Sequence, residues 1–478
     1  MKKLKVSDMK TVKLSIDQVG KILFYENRIF RVINNDYVNQ VKEMFEIGMI
    51  GELVDKKLFP KTWISQIEIE GYSLVIEHEK IECWNYPYEW SFDMLRDAGL
   101  VILKVNKIAN KYGFELMDSH SSNVVFHMNK PQYTDLGSFG RWDRTSTTSW
   151  RSYTIFYNHF YIPLYLWSKG YSDTARNIFL MMNYFNEKEF LKIKYPIINL
   201  VDDKYIFSIM KKVRTLALVS ENVIKEKLDN MIKQKIGLLV HKTFKNSFDM
   251  DNLKKEISNF KKPIEVSMWN NYHDNLDPQK DKRFLRITDI INSLNDANSL
   301  VELASNQGKM ATYVMKNTQI NRVVATDYDK EAVNIMYLNN KNNDNFLPLL
   351  FDMIRTNGRQ YDEYIYKRIK SDIVMALAVT HHLVLTQAIP IDNIFNAMIR
   401  LTNKYIIVEF MPLGLYSGDK NKTPPLPDFY TLQWFKNNFV QYFDLILEEE
   451  IDINRHVFVG KIQMDNRHDI RNINKGKR

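Results

Sequence analysis

Three acidic residues stand where short β-branched runs end: Glu302 in "SLVELA", Asp327 in "RVVATD" and Asp352 in "FLPLLFD". Two adjacent histidines, His381 and His382, follow a fourth run, "DIVMALAV", and Glu409 lies in a fifth, "YIIVEF". Carboxylates at such tips can accept hydrogen bonds from a ligand's hydroxyl and amino groups, and a histidine can take a proton from a nucleophile near neutral pH. Each acid alone is equally at home as a helix cap or turn former. Three at consecutive strand ends form a pattern.

The positioning elements follow from the rhythm of the chain. The five runs begin at Ser299, Arg322, Phe346, Asp372 and Tyr405, with helix-like segments between them. That spacing is what right-handed βαβ units demand, so the sequence predicts a parallel sheet flanked by helices. "FDLILEEEI" and "HVFVGKI" then predict a terminal hairpin. In such a sheet ligands lie beyond the carboxyl ends of the strands, where strand order reverses. "LVELASNQGK", residues 300–309, occupies the first strand-to-helix turn and holds one glycine, Gly308.

Dinucleotide sites want G-x-G-x-x-G and phosphate loops want G-x-x-x-x-G-K-[ST], and neither is present here. A cofactor without phosphates needs fewer bare amides, and S-adenosylmethionine is such a cofactor. Gly308 admits close backbone approach, and Ala304 and Ser305 are small enough to do nearly the same. Asp327 is placed to accept from both ribose hydroxyls and Asp352 from an adenine amino group. Glu302 either orients the loop or faces the methionine ammonium.

Residues 263–463 resemble a class I S-adenosylmethionine-dependent methyltransferase. "LVELASNQGK" resembles the D-x-G-x-G-x-G strand and loop, with Glu302, Ala304 and Asn306 replacing the usual Asp and two glycines, and "VVATDYDKEAVN" resembles the acidic second-strand motif. "YPYEWSFDMLRDA", "MDSHSSNVVF", "TDLGSF", "WNNYH" and "ALAVTHHL", in that order, are similar to a bacterial subfamily with an extra N-terminal region. The resemblance implies a doubly wound Rossmann-like sheet and a donor site at Glu302, Ala304, Asn306, Gly308, Asp327, Tyr328 and Asp352. Trp269 and Tyr272 of "WNNYH" would close over the cofactor or pack in the core. Methyl transfer is an in-line displacement that needs alignment and exclusion of water. His381 and His382 are the candidate base or acceptor contacts, and Glu409 would orient a histidine, bind acceptor or form a salt bridge. The expected reaction is O-methylation of a small-molecule or saccharide-like acceptor.

The first 150 residues carry a second pattern. Asp118 and Asn123 in "MDSHSSNVVF", then Asp135-Leu-Gly137, resemble the D-x-x-x-x-N and D-x-G of protein kinases and small-molecule phosphotransferases. The resemblance implies Asp118 as base and Asn123 and Asp135 as metal ligands for Mg-ATP, if the region is active. Turn and cap roles serve the same residues equally. No glycine-rich phosphate loop precedes them, and "FRVI" offers Arg31 where a lysine is expected. A kinase-like fold kept for binding an acceptor or a protein partner is therefore expected, with a bifunctional methyltransferase/phosphotransferase and a non-catalytic binding protein as alternatives.

The organisation expected is a kinase-like α+β domain (1–150), a helical connector (151–262) and the α/β methyltransferase domain (263–478). With 478 residues and only 16 glycines and 13 prolines, most of the chain should fold. The single cysteine, Cys83, excludes an internal disulfide. The formal charge of +9 comes from scattered lysines with no nucleic-acid signature. No secretory or membrane-spanning segment is evident, so a cytoplasmic protein is expected.

Overall fold

Alternating apolar runs and amphipathic helices give the C-terminal half one buried sheet with helices against it. In the structure, a computed structural model, residues 3–11, 17–142, 150–181, 185–194, 250–263, 277–354, 363–416 and 418–463 are described. The chain divides into two compact units, Met1–Glu82 with Tyr86–Tyr88 and Phe92–Ile264, and Cys83–Asn85 with Glu89–Ser91 and Glu265–Arg478.

The N-terminal unit begins with an antiparallel sheet of β1 (Lys10–Thr11), β2 (Gly20–Tyr25), β3 (Arg28–Ile33), β4 (Thr62–Ile64) and β5 (Val75–His78) in the order β1-β2-β3-β5-β4. Helices α1 (Val38–Glu46) and α2 (Met49–Asp55) intervene between β3 and β4. Helix α3 (Phe92–Lys111) buries Met94, Leu95, Ala98, Ile102, Val105 and Ala109, a stripe at helical spacing. It stops before Gly113, whose φ of +78° suits a residue without Cβ. Strand β6 (Phe114–Leu116) pairs antiparallel with β9 (Phe139–Arg141), and β7 (Val124–His127) with β8 (Lys130–Tyr133) forms the hairpin expected around "NKP". Of the expected connector, helices are described over Tyr153–Ser168, Ser172–Met181, Glu187–Lys194 and Met250–Asn259, and 195–249 lie outside the described residues.

The C-terminal unit runs α4 (Lys282–Ser293), β10 (Ser299–Leu303), α5 (Lys309–Asn317), β11 (Arg322–Asp327), α6 (Lys330–Asn339), β12 (Phe346–Leu350), α7 (Glu363–Ile369), β13 (Ser371–Ala376), α8 (Ile391–Leu401), β14 (Thr402–Phe410), α9 (Leu432–Tyr442), β15 (Phe443–Asp452) and β16 (Arg455–Ile462). The sheet order is β12-β11-β10-β13-β14-β16-β15. The first five strands are parallel, while β16 runs antiparallel to both neighbours. After β12 the chain crosses to the other side of β10, so strand order reverses between β10 and β13. Phe284, Ile287, Ile291, Ala311 and Val314 pack on Leu300, Val323, Ala325, Ile373, Met375 and Ile407.

Two short upstream pieces belong to this unit. Glu89 is buried against Arg368 of α7 at 2.6 Å, and the same guanidinium lies over the Trp84 ring, 4.8 Å from its centroid. The Cys83 thiol donates to the Arg368 carbonyl at 3.2 Å and accepts from Arg322 Nη1 at 2.8 Å. "SLVIEHEKIECW" therefore forms a strand only over Val75–His78, and its end serves the other unit.

Candidate active site

The turn after β10 lies at the reversal point, where a doubly wound sheet opens a crevice. Ala304, Asn306 and Gly308 have φ of +53°, +52° and +70°. These are the positions at which the sequence pattern expects glycine. Left-handed backbone costs an alanine about 1 kcal/mol, and asparagine less. Residues 304 and 306 thus carry side chains in a backbone conformation that glycine adopts without strain. At Gly308 a Cβ would come within 2.7 Å of Met336 Cγ, so only glycine fits.

Ser305 ties this turn to the next strand. Its N–H donates to the Thr326 carbonyl at 2.8 Å, its hydroxyl donates to the Glu302 carbonyl at 2.9 Å, and the Thr326 N–H donates to that hydroxyl at 3.2 Å. Sequence reasoning saw only a small residue here.

Asp327, at the tip of β11, is buried and accepts from the Asn306 N–H at 2.8 Å and the Asp329 N–H at 2.8 Å, one on each oxygen. Among the described residues no cation pairs with it. Burial pushes its carboxyl up to about 6 against the pull of those amides. Glu302, in the middle of the sheet between β11 and β13, is also buried and accepts from the Ala311 N–H at 3.0 Å, in the first turn of α5. Burial raises it to about 8, with the Arg283 charge opposing. Of its two expected roles the contacts favour orienting the loop and helix. Asp352 is half-buried beyond β12 and accepts from the Ile354 N–H at 3.0 Å, and the Tyr328 side chain is exposed. Trp269 and Tyr272 lie outside the described residues.

Across the reversal point, Ala378 turns the chain with φ +51° into "VTHHL". His381 is buried, and its Nδ1 has no hydrogen-bond partner among the described residues. Burial first, then His382 and Arg455, hold its imidazole down at about 3, so it is neutral in ordinary buffers. His382 is half-buried, its ring centroid 4.1 Å from that of His381, and burial lowers it as well. Of the roles expected of Glu409, its contacts favour the salt bridge. Arg283 donates to both its oxygens at 2.7 and 2.9 Å, and Arg455 Nη1 donates to Oε2 at 2.9 Å. Its carboxylate is fully buried between two guanidinium groups, the salt-bridge alternative. Neither arginine was singled out in the sequence, since they lie on α4 and β16, far from the motif in the chain.

In the N-terminal unit Asp118 accepts from the His120 N–H at 2.9 Å, and Asn123 Nδ2 is buried. Asp135 is engaged on both oxygens, Oδ1 by Arg31 Nη1 and Nη2 at 3.2 Å and by the Gly137 N–H at 3.0 Å, Oδ2 by the Ser138 hydroxyl. A magnesium ligand needs a carboxylate oxygen facing the ion. The expected metal role of Asn123 and Asp135, and with it Mg-ATP, does not fit: the arginine already neutralises the acid. Among the described residues no cluster of three His, Cys, Asp or Glu is placed to hold a metal ion.

No protein-family model matches the chain. It is 23% identical over 425 residues to the nodulation protein NoeA of Rhizobium meliloti (strain 1021), covering 83% of each chain. Solved structures similar to it include the N-methyltransferase NodS from Bradyrhizobium japonicum WM9, at 9% identity, 40% of this chain, 98% of that one and TM-score 0.29. Another is magnesium protoporphyrin IX methyltransferase from Synechocystis PCC 6803 with bound SAM, at 9% identity, 42% and 87% coverage and TM-score 0.29. No described helix is long and apolar enough to cross a membrane.

Proposed function

We propose that the C-terminal unit is an S-adenosylmethionine-dependent methyltransferase acting on an oxygen of a small-molecule or saccharide-like acceptor. One observation carries this reading: a turn with three left-handed residues, two of them not glycine, brings the Asn306 N–H onto a buried carboxylate, Asp327, that pairs with no cation among the described residues. Strain of this kind persists where the surroundings impose it, and it concentrates at ligand sites. A phosphate cradle would not place a buried acid at its centre.

Asp327 would hold the two ribose hydroxyls, since it is a buried carboxylate with two acceptor oxygens at the tip of β11. Asp352 would accept from the adenine amino group, and Tyr328 would cover the exposed side. Glu302 fixes the start of α5, and so the path of residues 304–308. When bound, S-adenosylmethionine supplies a methyl group on an electrophilic sulfonium. His381 is the group for the acceptor's proton. Its neutral ring and unpartnered Nδ1 let it accept, and its low basicity suits assistance while the new C–O bond forms rather than prior deprotonation. His382 would contact the acceptor. Glu409 acts through Arg283 and Arg455, holding the walls beside Glu302 and His381.

The N-terminal unit, read as a kinase-like fold, would hold the acceptor or a protein partner. An antiparallel sheet, then α3, then a hairpin flanked by Asp118, Asn123 and Asp135 supports that reading, while the arginine on Asp135 weighs against phosphoryl transfer.

Calorimetry with S-adenosylhomocysteine tests the proposal. Binding to the full chain is expected to disappear in Asp327→Ala and to persist in Asp135→Ala. A wild-type chain that takes up no S-adenosylhomocysteine, or an Asp327→Ala chain that binds it unchanged, sinks the reading.

A further inference from the structure

The acid of "TDLG" is held by an arginine whose position is fixed from three directions. Arg31 lies inside β3, opposite Ile22 on β2 and Ile76 on β5, so two strand registers set where its side chain leaves the sheet. Its buried guanidinium reaches two carboxylates, Asp17 Oδ2 at 2.8 Å from Nη1 and Asp135 Oδ1 at 3.2 Å from both Nη atoms. Asp17 is pinned in turn by the Val19 N–H at 2.9 Å. Gly137 is required by the same cluster, because a Cβ there would come within 2.6 Å of Asp17 Oδ1 and 2.9 Å of Arg31 Nη1.

We propose that Arg31 is a built-in replacement for a metal ion: its guanidinium takes the cation position between Asp17 and Asp135 and closes the N-terminal unit to divalent metal and metal-bound nucleotide. Two acids facing one another need positive charge between them, and a planar guanidinium supplies it while binding both. Unlike an ion it cannot leave, so the segments at 17–19, β3 and 135–138 stay joined. The site is a clamp, which suits a binding domain better than a phosphotransferase. This inference is independent of the methyl-transfer reading, since the residues concerned lie in the other unit.

Titration calorimetry of the full chain with MnCl2, and with ATP plus MgCl2, tests it. The wild type is expected to be silent in both. Arg31→Ala removes the guanidinium that the two acids share and is expected to gain manganese binding, which Asp135→Asn added to it should abolish. Should Arg31→Ala fail to fold, Arg31→Gln serves instead, because it removes the charge and keeps much of the side chain's length. Binding of ATP plus MgCl2 by the wild type, lost in Asp135→Asn, overturns the proposal. So does a folded Arg31 variant indifferent to manganese.

Discussion

Asp327 and Asp135 are both aspartates at strand ends, each in a motif that suggests a ligand, yet their surroundings differ. Asp327 receives two backbone N–H groups and no cation, and burial leaves its carboxyl easier to protonate than usual. Asp135 receives a guanidinium, a backbone N–H and a hydroxyl. The first is kept short of compensating charge, and a ligand that supplies donors gains by binding there. The second already has its counter-charge within the fold. A motif names the acid; its neighbours decide whether the acid has capacity left.

The comparison breaks first at Glu409, a fully buried acid held by two arginines. If such acids are structural, Glu409→Ala leaves two guanidinium groups facing each other and should cost about 3–5 kcal/mol in urea unfolding. A loss below 1 kcal/mol would put Glu409 with Asp327 instead. Next is Glu302, a buried acid whose folded value, about 8, exceeds its ordinary 4.5. The folded state prefers the protonated form, so this group's contribution to stability is full below pH 4.5 and lost as pH rises through 8. Glu302→Gln should therefore match the wild type at pH 4 and exceed it above pH 8 by about 5 kcal/mol. Equal stabilities at high pH would contradict the burial argument.

Asp327 supplies a gentler test. Its carboxylate must be ionised to accept from a diol, so affinity for S-adenosylhomocysteine should fall as pH drops below 6, by about tenfold per pH unit. Asp327→Asn should show no such slope, and a wild-type affinity flat from pH 7 to 5 would separate the acid from the donor site. The smallest effect is expected at Ala304. Glycine there relieves the left-handed strain and should stabilise the chain by about 1 kcal/mol while donor binding persists. A destabilised Ala304→Gly would mean the methyl group has packing that outweighs the strain.

Much of this was legible in the chain. The five parallel strands fall on the five β-branched runs, because a sheet covered on both faces needs continuous apolar stretches. Ala304 and Asn306 could be aligned with the glycines of a known loop, and the backbone angles follow that alignment. The partners of Glu409 could not be read, since Arg283 lies 126 residues away and Arg455 46. A charge pair across a sheet leaves no local periodicity. The partner of Asp135 could not be read for the same reason: Arg31 was noticed as a missing lysine, but its reach across 104 residues to that acid is a tertiary fact.

Arg368 meets Glu89 and Trp84, residues encoded long before the sheet they support. A gene fragment starting at codon 265 would therefore encode the parallel sheet with a buried guanidinium that has lost Glu89 and Trp84. Expressed alone it should be prone to aggregation, and adding the nonapeptide 83–91 as a separate piece is the natural way to rescue it.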